Sequence, residues 1–173
     1  MADVSEEIMK KNKRIDNSSA WLGGLPIIVK DLHDVEGVRT TYGSTLYSDH
    51  VPENSDIMVE TLESNGAIVI GKSNTPEFGH GANTFNEVFG KTRNPWNMEQ
   101  GSSGSSAGPG SATAAGLVSF SIGSETWGSI VSPATRNGVT GLRPTFGTVS
   151  KSGAMALSWS MDKLGPMCRS VDD

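Results

Sequence analysis

Apolar positions in this chain fall in short bursts separated by long polar, glycine-dense stretches. Leu25-Pro26-Ile27-Ile28-Val29-Lys30 is a largely β-branched run opened by proline, and it predicts a short buried strand. Ile57, Met58, Val59 and Leu62 recur instead at helical spacing. Ser55 is placed to cap that helix, Asp56 falls in its first turn, and Asn65-Gly66 ends it. Ala67-Ile68-Val69-Ile70 then predicts a second strand, so strand, helix and strand form a βαβ unit with parallel pairing. Further on, Ser111-Ala112-Thr113-Ala114-Ala115 is helix-forming, Val118 to Ile122 is strand-like, and Pro133 can open another helix. The tail from Gly141 onward, with Gly165-Pro166, reads as turns. In the polar first 20 residues, Ile8, Met9 and Ile15 outline a weakly amphipathic helix that ends at Asn17-Ser18-Ser19. The expected organisation is this polar segment, residues 1–20, followed by one α/β domain over 21–173.

Residues 71–100 are a polar, glycine- and asparagine-rich stretch, and such a stretch inside a domain is expected to bind or catalyse. Residues 101–116, GSSGSSAGPGSATAAG, have the composition of a flexible linker, yet their second half favours helix. The net charge of −5 is spread along the chain, which argues against nucleic acid or an anionic membrane as the main partner. No run approaches the ~18 apolar residues of a membrane span. The charged start lacks a signal peptide's apolar stretch, and the lone Cys168 suits a reducing compartment. A soluble, cytoplasmic protein is expected.

Three motif matches fail on context. Gly66 to Ser73 satisfies the phosphate-binding pattern G-x-x-x-x-G-K-S/T, but its variable residues are the best strand in the chain and no helix follows. Gly104-Ser105-Ser106-Ala107-Gly108 satisfies G-x-S-x-G, but a nucleophile elbow needs a buried strand directly before it. That reading would also need His33, His50 or His80 as base. Ser160-Met161-Asp162-Lys163 matches S-x-x-K without its companion motifs. The scattered histidines and the single cysteine give no metal-ligand spacing.

Lys30, at the end of a buried strand, has two readings. Its ammonium can point to water as the strand ends, or burial can lower its pKa until it accepts a proton. Local sequence leaves both open.

Several ordered segments together resemble the amidase signature family of serine hydrolases. They are Gly24 to Asp31, Gly71-Lys72-Ser73-Asn74, Asn94-Pro95-Trp96-Asn97, the serine-rich loop, Gly123 to Ile130, and Gly138 to Thr145. The resemblance runs from about Leu22 to the end of the chain and covers what looks like the N-terminal part of an amidase domain. It implies a mixed β-sheet with helices on both faces, and a Ser–cisSer–Lys triad. On the family pattern the lysine is Lys30 and the nucleophile Ser129. Ungapped alignment of Gly116-Leu117 and Gly123 gives Ser105 as the bridging serine, with Ser102 as the fallback.

The resemblance further implies hydrolysis of a small-molecule carboxylic amide through an acyl-enzyme, without metal or cofactor. Lys30 would take a proton from Ser105 as Ser105 takes one from Ser129. The oxyanion would meet backbone N–H groups of Thr126, Trp127, Gly128 and Ser129. The peptide bond entering Ser105 is expected to be cis. Trp127 departs from the family's usual G-G-S, where glycine stands at its position, and is expected to narrow the pocket. Two alternatives accompany this reading. One is a glutaminase like the A subunit of the glutamyl-tRNA amidotransferase, working with a partner subunit. The other is a non-catalytic fragment or interaction module whose half-finished sheet would favour oligomers.

Overall fold

A computed structural model describes residues 20–173, so all but the last residue of the expected N-terminal segment lies outside them. The first predicted strand is β1, Pro26–Lys30. The helix after it, α1, spans Ile57–Ser64, and β2, Ile68–Ser73, pairs in parallel with β1 as expected. The cap of α1 differs from the sequence reading. Asp56 rather than Ser55 caps it, accepting from the Val59 N–H at 2.8 Å, because Ser55 Oγ is taken by the Glu36 N–H at 2.9 Å. Asn65 ends the helix, and Gly66 turns the chain at φ +92°.

The polar stretch after β2 folds into two short ribbons, each with one buried asparagine, Asn86 and Asn94. One pairs β3, Phe85–Asn86, with β4, Gly90–Lys91; the other pairs β5, Arg93–Asn94, with β6, Asn97–Gly101. All five residues of β6 are exposed, so no buried strand precedes the serine-rich loop. Half of that loop is helix: α2 runs Ala107–Ala114, with its small residues buried. Its glycines admit close packing, since a Cβ at Gly108 would stand 2.3 Å from the Asn74 carbonyl oxygen. Strand β7, Phe120–Glu125, and helix α3, Val131–Asn137, follow, then the short β8, Thr140–Gly141. The strand β9, Lys163–Cys168, contradicts the turn reading of Gly165-Pro166. Glycine is required there because the Leu142 carbonyl oxygen approaches to 2.3 Å of where a Cβ would be.

The main sheet has the order β2-β1-β7-β9-β8. Its first three strands are parallel, and β9 runs antiparallel to both β7 and β8. Alternation along β7 sorts the layers. Phe120 and Ile122 join Ile27, Val29, Val69, Met58 and Val59 in the main core, on the face covered by α1. Ser121 points the other way, where its hydroxyl meets Thr113 of α2 at 2.8 Å. Helices therefore cover both faces of a mixed sheet. The carboxyl ends of the parallel strands β1 and β7 lie side by side, with Val29 opposite Ile122. Loops leaving such neighbouring strand ends are where open α/β sheets place their sites.

Candidate active site

Lys30 is the last residue of β1, and its side chain is fully buried. Of the two readings open at the sequence level, the ammonium in water is therefore excluded. Its Nζ reaches three hydroxyls: Ser105 at 2.6 Å, Ser124 at 2.8 Å and Ser106 at 3.0 Å. No carboxylate among the described residues touches it directly. Burial lowers the Lys30 pKa from 10.5 to about 7, while the nearby Glu125 and Asp162 charges pull it back up.

The serine-rich loop brings Ser105 to Lys30 by a close backbone approach. A Cβ at Gly104 would stand 2.7 Å from the Gly81 carbonyl oxygen, so only glycine fits. The Gly104–Ser105 peptide bond is cis. Ser106, wholly buried, ties the two glycine loops together. Its N–H donates to the Ser129 carbonyl at 3.0 Å, and its Oγ accepts from the Ser124 N–H at 3.1 Å. Ser102 points elsewhere: its Oγ accepts from Ser111 at 2.8 Å.

The second glycine loop leaves the end of β7. Ser129 is half-buried and lines a cleft of about 300 Å³ together with Gly104, Thr126, Trp127 and Gly128. Among the described residues no hydrogen bond joins its hydroxyl to Ser105 or Lys30. The Gly128 N–H donates to Glu125, whose carboxylate also accepts from Ile130 at 2.5 Å and Val131 at 3.2 Å. Three orphan donors at the start of α3 are thereby satisfied by one buried carboxylate. The Thr126, Trp127 and Ser129 N–H groups have no protein acceptor among the described residues. Trp127 itself is 86 % exposed and keeps a negative φ, whereas Gly128 takes φ +114°. The glycine-only conformation thus falls at 128, and the Trp127 ring stands at the cleft rim rather than inside it.

Sequence reasoning offered Ser106 only as an elbow nucleophile and missed Ser124, Glu125 and Asp162. Ser106 and Ser124 follow from strand pairing: the end of β7 lies beside the end of β1, so hydroxyls near it reach Lys30. Asp162 carries no local signal. It arrives from the loop before β9, where its carboxylate accepts from Thr126 Oγ1 and from the Leu157 and Ser158 N–H groups at 2.6 and 2.9 Å.

The fold that carries this site is shared with known proteins. The amidase family pattern matches residues 2–173. The chain belongs to the amidase family. It is 43% identical over 168 residues to the A subunit of the glutamyl-tRNA(Gln) amidotransferase of Saccharolobus solfataricus, covering 97% of this chain and 35% of that protein. Among solved structures it is similar to the corresponding subunit from Thermotoga maritima, with TM-score 0.87 and 32% identity. That match covers 98% of this chain and 41% of the other. The native peptide amidase of Stenotrophomonas maltophilia matches with TM-score 0.84 and 36% identity, over 99% of this chain and 36% of its own. The chain thus spans about a third of the length of the amidase family relatives it matches. No helix among the described residues is long and apolar enough to cross a membrane.

Proposed function

We propose that this chain carries the catalytic centre of an amide hydrolase, with Ser129 as nucleophile, Ser105 as proton relay and neutral Lys30 as base. The observation that carries the reading is the 2.6 Å contact between fully buried Lys30 Nζ and Ser105 Oγ. With its pKa near 7, the amine is partly unprotonated at neutral pH and able to accept a proton. Ser129 Oγ bonds to the carbonyl carbon and passes its proton to Ser105, which passes its own to Lys30. The carbonyl π pair moves to oxygen, and the Thr126, Trp127 and Ser129 N–H groups are the donors open to that oxyanion. The Gly128 N–H joins them only when Glu125 releases it. Collapse breaks the C–N bond, and the proton returns through Ser105 to the departing amine. Water then repeats the sequence on the acyl-enzyme. Ser129 Oγ must turn towards Ser105 for this, as catalytic contacts often tighten only with substrate bound. The scheme uses no metal or cofactor.

The likeness to amidotransferase A subunits favours a second reading within the same chemistry: release of ammonia from glutamine for a partner subunit. Labelling with a fluorophosphonate probe, mapped by mass spectrometry, tests both readings. Label on Ser129 that vanishes in Lys30→Ala is the expected result. A folded chain left unlabelled would instead be the non-catalytic fragment, and label on Ser106 would restore the nucleophile elbow. Ammonia release from glutamine against other amides separates the first two readings.

A further inference from the structure

The cleft beside Ser129 has an uneven chemistry. Of the residues lining it, His80 is the only one that can carry a charge; no Asp, Glu, Lys or Arg faces it among the described residues. Two large apolar side chains stand at its edge, Trp127 at 86 % exposure and Leu157 at 47 %. The Trp127 backbone keeps a negative φ, so its side chain needs no left-handed conformation there. Among the described residues this indole packs into neither core cluster, and it lies beside Ser129. It offers a flat face for stacking, a contact worth more than the area alone because aromatic rings attract one another's edges and faces. A substrate with a free ammonium and carboxylate would find no fixed counter-charge on this wall.

We propose that Trp127 forms an aromatic wall at the mouth of the Ser129 cleft and selects amides whose acyl group is uncharged and aromatic. This rests on Ser129 being the nucleophile. The consequence is a preference set by the second glycine loop itself, before any residue from elsewhere contributes.

Two sulfonyl fluorides that react with serine test it without needing a complete substrate pocket. Each forms a sulfonate ester on Oγ and releases fluoride, but one carries a benzyl group and the other only methyl. Second-order rate constants for modification of Ser129 are measured by mass spectrometry for the wild type, Trp127→Gly and Trp127→Phe. The benzyl-over-methyl ratio is expected to fall about three- to tenfold in Trp127→Gly and to be largely kept in Trp127→Phe. Modification of Ser129 with an unchanged ratio in Trp127→Gly overturns the aromatic wall and leaves the nucleophile assignment standing. Absence of Ser129 modification by both reagents in folded wild type overturns the two together.

Discussion

Lys30 Nζ stands 2.6 Å from Ser105 Oγ although 75 positions separate them in sequence. Topology produces the contact: β1 ends at Lys30, its parallel neighbour β7 ends at Ser124-Glu125, and Ser106 clasps the β7 end by two hydrogen bonds. The partners are hydroxyls, not carboxylates. A direct ion pair would hold the lysine protonated, whereas Ser105 and Ser124 offer neutral hydroxyls that can accept from the ammonium or donate to the free amine. Glu125 and Asp162 raise the pKa only from a distance, and desolvation outweighs them.

The first prediction concerns activity and pH. If neutral Lys30 is the base, the second-order rate of Ser129 labelling should be level above about pH 7 and fall roughly tenfold per unit below it. Lys30→Ala should lower that rate ~10²–10⁴-fold. A wild-type profile flat down to pH 5 would count against Lys30 as the base.

Stability should follow the same group. Below about pH 7 Lys30 is protonated in both the folded and unfolded chain, and the cost of burying its charge is fully present. Between about 7 and the ordinary value of 10.5 the unfolded chain holds the extra proton, so stability rises with pH. Partly buried Lys72, whose pKa desolvation also lowers, adds a rise of the same sign. Urea midpoints measured from pH 7.5 to 9.5 should therefore climb in the wild type. In Lys30→Met they should climb less, keeping the Lys72 share offset by Cys168, whose pKa burial raises and whose contribution therefore falls as pH rises.

Much of this frame was legible in the sequence because it rests on local pattern. The run 27–29 and the run 68–70 are strands since β-branched residues fill both, and their parallel pairing follows from the helix between them. What escaped was set by packing at a distance. The strand Lys163–Cys168 is masked by Gly165-Pro166, where a neighbouring carbonyl, not a turn, demands glycine. Likewise the Ser55/Asp56 choice of cap depends on Glu36, which no local window contains. At the site, Lys30 and the serine loops could be read from motif order. The linker-like 101–116 was deceptive because its small residues let α2 pack tightly, with Gly110 against Met167.

Ser102 and Ser105 should behave differently on substitution. Ser105→Ala removes the nearest hydroxyl from Lys30 and is expected to reduce Ser129 labelling ~10²–10⁴-fold while the chain stays folded. Ser102→Ala breaks only the contact with Ser111, which should cost about 1 kcal/mol of stability and leave labelling within a fewfold. Measuring both variants by labelling rate and by urea denaturation distinguishes a relay from a structural hydroxyl. Equal losses in the two would remove the special place of Ser105.

Asp162 ties chemistry to the strand the sequence concealed. Its carboxylate accepts from Thr126 at the start of the second glycine loop and from the Leu157 and Ser158 N–H groups, so it joins two walls of the cleft. It also raises the Lys30 pKa by its charge, more weakly than Glu125 does. Asp162→Asn keeps the size of the side chain but removes that charge. The remaining desolvation should then push Lys30 further down, moving the acid limb of the labelling profile to lower pH. A loss of loop geometry alone would lower the plateau without moving the limb. The two effects are therefore separable in one titration: a shifted midpoint reports the electrostatic link to Lys30, and a lower plateau reports the broken hold on Thr126. Asp162→Ala, which removes both, should show both changes. A midpoint that stays at the wild-type pH in each variant would mean that Asp162 acts on the loop only.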